Sequence, residues 1–406
     1  MGEMSRRNLL RAGGALGAFG AMTLVAPSKA WSWAPSGSIA GTGTGADPRW
    51  VWDDVADPLI AAVIDRGDTA LVNQVLSTWT TNSQPLPAGL PADVAAFIEQ
   101  ARQLPSWADP AVLADGFTFV TKRGTYLGVL YGMGSGMMST AIPHEARAVY
   151  WSRGGAALKD RIAKTSKLGY DIGTQNAFGP DGQMIVTCVK TRMTHAAVRH
   201  LLPQSPFWTQ TADQPTPISQ RDMMITWHSL ASFSWRKLSS WHLQVPANEA
   251  AGYLQSWQLT AHMLGIHDEY IPATWGDAVS QSQQVLDPVL APTAEGIELA
   301  SELLALASSV DGGTLTTPFL AAATRYMLGD ALCDQMQIPK DVYWDTFFAT
   351  GWPAFVAFKE AGLAIPFAPA GYWMFDEFLR QATLWYLSGG QTIDITIPDT
   401  NRPTSS

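Results

Sequence analysis

From Trp50 to about Tyr386 apolar residues recur every three or four positions almost without interruption, and strict alternation is rare. That period is the helical one. A chain so patterned can bury its apolar faces only by packing helix on helix. The pattern predicts helices near 54–65, 68–79, 92–103, 110–117, 127–138, 143–153, 156–170, 182–202, 219–238, 248–264, 275–290, 293–308, 316–327, 340–360 and 369–387. Pro105, Gly179-Pro180, Pro203, Pro246 and Pro288 fall at stops between them. Only residues 391–397 alternate like a strand, and no internal repeat is visible. The expected class is all-α.

Composition narrows this further. Hydrophobic residues make up 47% and charged residues 15%, the opposite of a disordered balance. Seventeen tryptophans imply deep apolar packing or an apolar surface that meets something greasy. The net charge is -9 and no basic run lies in the body of the chain, which excludes the counterion-releasing contacts of a nucleic-acid binder. The dense basic patch is Ser5-Arg6-Arg7-Asn8-Leu9-Leu10, followed by an apolar stretch from Ala12 to Ala26 and small residues near Ala30. This is a twin-arginine export signal, with an uncleaved anchor as its alternative. That route carries folded proteins, which suits a protein that traps a cofactor before export. The expected organisation is a signal at 1–30, a linker at 31–49, one domain at 50–400 and a polar tail at 401–406. No long apolar run follows residue 30, so no membrane span is expected in the mature chain.

Cys188 and Cys333 form one disulfide or remain two buried thiols. Neither belongs to a CxxCH, so covalent haem attachment of the c type is excluded, and no paired CxxC suggests zinc.

The first chemical candidate is His195. Met184, Cys188, Thr191, His195, Val198 and Leu202 are spaced by 4, 3, 4, 3 and 4 residues and line one helix face. An imidazole held among apolar neighbours suits a haem iron ligand, and equally a satisfied core histidine. His200 lies five residues on, about 140° round the helix, and cannot share that site. The second candidate is Glu145 with Arg161, Lys164 and Thr165. The last three share a helix face at i, i+3 and i+4. An antiparallel return through Gly154-Gly155 brings Glu145 beside them. If that face is buried, the carboxylate is a tuned general base; if not, it is an ordinary surface ion pair.

His262 and His267 are five apart, a poor chelating spacing, and the His267-Asp268-Glu269 run is read as ending a helix and bracing a loop. The glycines of 132–137 lack the Lys-Ser/Thr of a phosphate loop and are suited to close approach by a helix or a flat ligand. No GxSxG is present, which argues against an α/β-hydrolase.

As a set, the twin-arginine leader, Glu145, Arg161-Ile162-Ala163-Lys164-Thr165, Thr194-His195-Ala196-Ala197-Val198-Arg199-His200 and His267-Asp268-Glu269-Tyr270-Ile271-Pro272 resemble the latex clearing protein (rubber oxygenase) family over nearly the whole mature chain. The resemblance implies a globin-like helical core, roughly 110–330, with additional N- and C-terminal helices and a non-covalent haem b. It implies His195 as the proximal iron ligand and Lys164 as a distal lysine that sits on the iron when the site is closed. Arg161 and Thr165 become distal-pocket residues and Glu145 the catalytic base. The implied reaction is endo-cleavage of poly(cis-1,4-isoprene) by O2 as co-substrate, by a secreted, monomeric dioxygenase. The competing readings are a haem peroxidase or oxygenase acting on a small apolar molecule, and a haem or lipid carrier without turnover. Glu145 separates the carrier from the oxygenase, because a carrier gains nothing from a buried carboxylate.

Overall fold

The structure is a computed structural model that describes residues 31–32, 37–42, 44–152, 158–309 and 315–401. The twin-arginine segment and residues 402–406 of the tail lie outside the described residues. The fold is all-α around a globin-like core. Its only strand pairing of more than one residue, among the described residues, is the antiparallel contact of β1 (Trp31–Ser32) with β2 (Thr44–Gly45). The segment read as a linker is docked there: Ile39 N donates to Ile271 O at 3.0 Å, and Ser38 is buried.

The first helices are α1 (Ala56–Asp65), α2 (Thr69–Leu76), α3 (Ala92–Ala101) and α4 (Pro110–Val129). Asp109 caps α4 by accepting from Ala111 N at 2.8 Å, and Pro110 takes the first-turn position where its missing N–H costs nothing. The apolar pattern predicts two helices here, 110–117 and 127–138, whereas the structure holds one unbroken helix. Polar residues between 118 and 125 interrupt the apolar stripe, yet Arg123 is buried, reaching Glu249 at 3.2 Å and Glu360 at 3.0 Å. A paired charge occupies a core position that sequence patterning reserves for an apolar side chain.

Helix α4 runs into a π-helical segment, Leu130–Gly136, and the chain continues through α5 (Pro143–Trp151), α6 (Leu158–Asp171) and α7 (Met184–Leu201). Next come α8 (Pro206–Thr211), α9 (Gln220–Trp227), a second π-helical segment at His228–Ser232, α10 (Phe233–Ser240) and α11 (Ala247–Met263). The 219–238 helix is therefore interrupted at its middle. There His228, fully buried, meets Ser232 and Gln281 at 2.7 Å each, a satisfied core histidine. Gly116 of α4 and Gly252 of α11 meet backbone to backbone: a Cβ at Gly252 would lie 2.2 Å from Gly116 N, so only glycine permits this crossing.

The remainder is α12 (Trp275–Val285), α13 (Ala294–Ser309), α14 (Thr317–Leu328), α15 (Asp330–Gln335), α16 (Val342–Gly362) and α17 (Ala368–Ser388). Helix α17 packs on α4 and α6, and α16 on α14. No helix among the described residues is long and apolar enough to cross a membrane.

The strand expected at 391–397 does not form. Its alternation is real, since Ile395 and Ile397 are buried, but among the described residues it pairs with no strand. Side chains replace the ladder: Asn73 Nδ2 donates to Ile397 O at 2.9 Å and its Oδ1 accepts from Ile397 N at 2.8 Å. Cys188 and Cys333 are both free and buried, in separate clusters.

Candidate functional site

Helix α7 is the structural axis of the site. It is buried on most of its circumference and packs against α1, α6 and α11. Two arginines tie it to the start of α1. Arg192 grips Asp53 with Nε at 2.6 Å and Nη2 at 2.9 Å, and Arg199 Nη2 lies 2.7 Å from Asp57. Asp53 also caps α1 by accepting from Ala56 N at 3.0 Å. Burial raises the Asp53 carboxyl, but Arg192 overrides it, and the net shift is downward.

His195 rides on this anchored helix. Burial, with Arg199 and Arg161 adding like charge, drives its pKa down to about 3, so the ring is neutral. Its Nδ1 is buried without a hydrogen-bond partner. His195, Glu145 and Arg161 are all dominated by desolvation yet each keeps accessible surface, as side chains bordering an interior space do.

Glu145 stands in the first turn of α5, opposite the start of α9. Ser219 and Asp222 form a reciprocal capping box that starts α9, and His144 Nδ1 lies 3.0 Å from Asp222 Oδ1. These contacts pin the two helix starts together. One turn on, Thr226 Oγ1 is 3.0 Å from Glu145 Oε2, to which it donates when the carboxylate is ionised. Burial raises the Glu145 pKa; the Thr226 hydrogen bond and the Arg161 charge pull it down, Asp222 pushes it up, and the result is about 7. Arg161, itself lowered by burial, is held up by Glu145. A carboxyl poised near neutrality in an enclosed space is a competent proton acceptor.

The structure thus places Arg161 within electrostatic reach of both Glu145 and His195. Lys164 points elsewhere: its Nζ is 2.8 Å from Asp160 and 3.2 Å from Thr396 Oγ1. Thr165 is exposed. His200 faces outward, 3.0 Å from Asp65. His262 Nδ1 is 2.6 Å from Asp268 Oδ1 at the end of α11, so the His267-Asp268-Glu269 run braces a loop, as its spacing suggests.

Three features were not singled out from sequence. Thr226 and Asp222 sit on a helix whose apolar pattern gives no hint of a polar partner for α5, although Ser219-x-x-Asp222 is a legible cap. The third is the C-terminal segment. Thr396 O accepts from Thr194 Oγ1 at 3.3 Å, Asp394 pairs with Lys190 at 2.9 Å, and Thr396 meets Lys164, so this segment lies over α6 and α7 beside the site.

No group of three or more His, Cys, Asp or Glu side chains suited to a bare metal ion occurs among the described residues. One neutral imidazole is instead the donor set for a metal that brings its own macrocycle. The glycines at this junction permit close approach: a Cβ at Gly134 of the π-helical segment would strike Phe233 at 2.4 Å, where two helices touch, while Gly128 of α4 and Gly132 have nothing within 4 Å.

The fold is helical with a globin-like core, and its relatives make it an oxidoreductase. Residues 121–358 match the family described as ER-bound oxygenase mpaB/B'/Rubber oxygenase, catalytic domain. The chain is 54% identical to the rubber oxygenase of Streptomyces sp. (strain K30) over 407 residues, covering 99% of this chain and 100% of that protein. It superposes on a solved structure of latex clearing protein in the closed state with a TM-score of 0.82 and 55% identity, covering 91% of this chain and 100% of that one. The chain belongs to the mpaB/rubber oxygenase family.

Proposed function

We propose that this chain is a secreted, monomeric haem b dioxygenase that cleaves the double bonds of poly(cis-1,4-isoprene) from within, giving products with an aldehyde at one end and a ketone at the other. The relatives named above supply the substrate class. The observation that carries the chemistry is that Arg161 lies within electrostatic reach both of a neutral imidazole with an unpartnered Nδ1, His195, and of a near-neutral buried carboxyl, Glu145. His195 is the residue that would hold the iron. When bound, haem supplies the O2 chemistry that no side chain performs.

The chain's own groups do the rest. Glu145 takes an allylic proton from the polymer and returns it before the carbonyl products leave, a step that needs its ionised form and a dry setting. Thr226 donates to Oε2 and fixes which oxygen is turned to the substrate. Arg161 keeps the carboxyl from rising further. Each cleaved C=C takes up both atoms of one O2 and becomes two carbonyl groups, so no external reductant is consumed. Lys164 and Thr165 are assigned to the distal side. Lys164 has a resting place on Asp160 and Thr396 when it is not on the iron. Residues 1–30 are the export signal, and 50–400 form the catalytic domain.

Oxygen uptake with purified latex, followed by carbonyl end-group analysis of the products, tests this. Uptake with paired aldehyde and ketone ends supports it. Uptake with small apolar molecules but none with latex replaces the substrate.

A further inference from the structure

Helices α16 and α17 are built partly inside out. The stretch from 342 to 388 contains six charged residues, Asp345, Lys359, Glu360, Asp376, Glu377 and Arg380, and none of them is exposed. Lys359 is only 4% exposed; its Nζ donates to Thr125 Oγ1 at 3.0 Å. Glu360 meets Arg123 at 3.0 Å, and Asp376 accepts from Thr125 N at 2.9 Å. Lys359, Glu360 and Asp376 are thus turned toward α4, Glu377 and Arg380 are paired along their own helix, and the Asp345 carboxylate is buried without a hydrogen-bond partner. Phe348, Trp352, Val356 and Leu387 are buried, but many other large apolar side chains face outward. Phe367 is 83% exposed, Phe358 77% and Trp385 69%, with Met374, Phe375 and Phe378 also exposed. A surface helix ordinarily puts its charges in water and its aromatics in the core. Contiguous exposed apolar surface of this kind marks a binding face.

We propose that this face adsorbs the enzyme onto the surface of a hydrocarbon polymer particle. The proposal rests on the polymer-cleaving function given above. Neither helix exposes a charge of its own, and a hydrocarbon has none to pair; an exposed cation, Lys159 of α6, lies against only the C-terminal end of α17. An anionic lipid surface would call for exposed cations, and there is none between 342 and 388. Position supports the same occupant. Helix α17 packs directly on α6, the helix that carries Arg161 and Lys164, and Lys159 Nζ of α6 lies 4.4 Å from the Tyr386 ring centroid. A polymer strand rising from the adsorbed particle therefore begins beside the candidate site. Burying each aromatic against hydrocarbon returns the free energy of removing apolar surface from water, summed over one broad face.

The test compares the haem-loaded protein with a variant carrying Phe358→Ser, Phe367→Ser and Phe378→Ser. These side chains are exposed, so helix content and the haem spectrum serve as controls for an intact fold. Adsorption is measured on a cis-polyisoprene film with a quartz microbalance. Turnover is measured on latex and on a short oligo-isoprenoid dispersed in detergent. The expected result is a drop of about tenfold or more in film adsorption and latex rate, with the short-substrate rate unchanged. Equal adsorption by both proteins overturns the proposal. So does a wild-type dimer in light scattering that the variant converts to monomer, which would make the face a contact between copies. Film adsorption does not require turnover: face-dependent adsorption without oxygen uptake supports the adsorbing face and refutes the polymer-cleaving function instead.

Discussion

Replacing Glu145 by glutamine keeps the shape of the side chain and its acceptor oxygen but removes its ionisation. The Glu145 pKa is about 7 against an ordinary 4.5, a gap of about 2.5 units. At about 1.36 kcal/mol per unit, ionising this group inside the fold costs about 3 kcal/mol. Below pH 4.5 both folded and unfolded chains hold the proton, and the cost is absent. Between 4.5 and 7 the native state holds the proton while the unfolded state has released it, so wild-type stability falls as pH rises through this window and then levels off. Glu145→Gln lacks that fall. Its stability relative to wild type rises by about 3 kcal/mol across the window in denaturant unfolding of the haem-loaded proteins. The wild-type rate climbs about tenfold per pH unit toward 7 and flattens above it, while the variant loses roughly 10²–10⁴-fold in rate and keeps its haem spectrum. A stability difference that is the same at every pH would refute the reasoning, because the carboxyl would then be unperturbed.

The neighbouring residues give narrower expectations. Thr226→Val removes the donor to Glu145 Oε2 and moves the rising limb of the rate profile up by about one pH unit, read from kcat/KM against pH. Arg192→Met leaves Asp53, whose side chain is 3% exposed, with Arg199 at 4.0 Å and the Ala56 N–H among its remaining partners, and lowers stability by about 3 kcal/mol in chemical unfolding. Lys164→Ala changes the resting absorbance spectrum of the haem-loaded protein; an unchanged spectrum shows that Lys164 stays with Asp160 and Thr396.

The helical class and most helix positions were legible because apolar period reports which face is buried, and α1, α7, α13, α14 and α17 begin and end within two residues of where the pattern places them. The pattern failed where a charge fills a core position. Arg123 hid the middle of α4, and the same inward-facing charges hid the inversion of α16 and α17. It failed again at 391–397, where alternation was real but a strand needs a partner, and among the described residues this segment pairs with none. At the site, the i, i+3, i+4 spacing placed Arg161, Lys164 and Thr165 on one face, yet spacing says nothing about where a long side chain ends. Arg161 turns toward Glu145, whereas Lys164 is drawn to Asp160 and to Thr396 from a segment more than 200 residues distant. Thr226 was invisible for a related reason: its contact with Glu145 spans 81 residues and depends on the capping box of another helix.

The most direct measurement is the absorbance spectrum of purified wild type beside His195→Ala, taken with oxygen uptake on latex. The account predicts a Soret band for wild type, and for the variant a correctly folded helical protein that has lost both pigment and uptake. A variant as coloured and as active as wild type would contradict it, because the iron would then be held by something other than the imidazole at position 195.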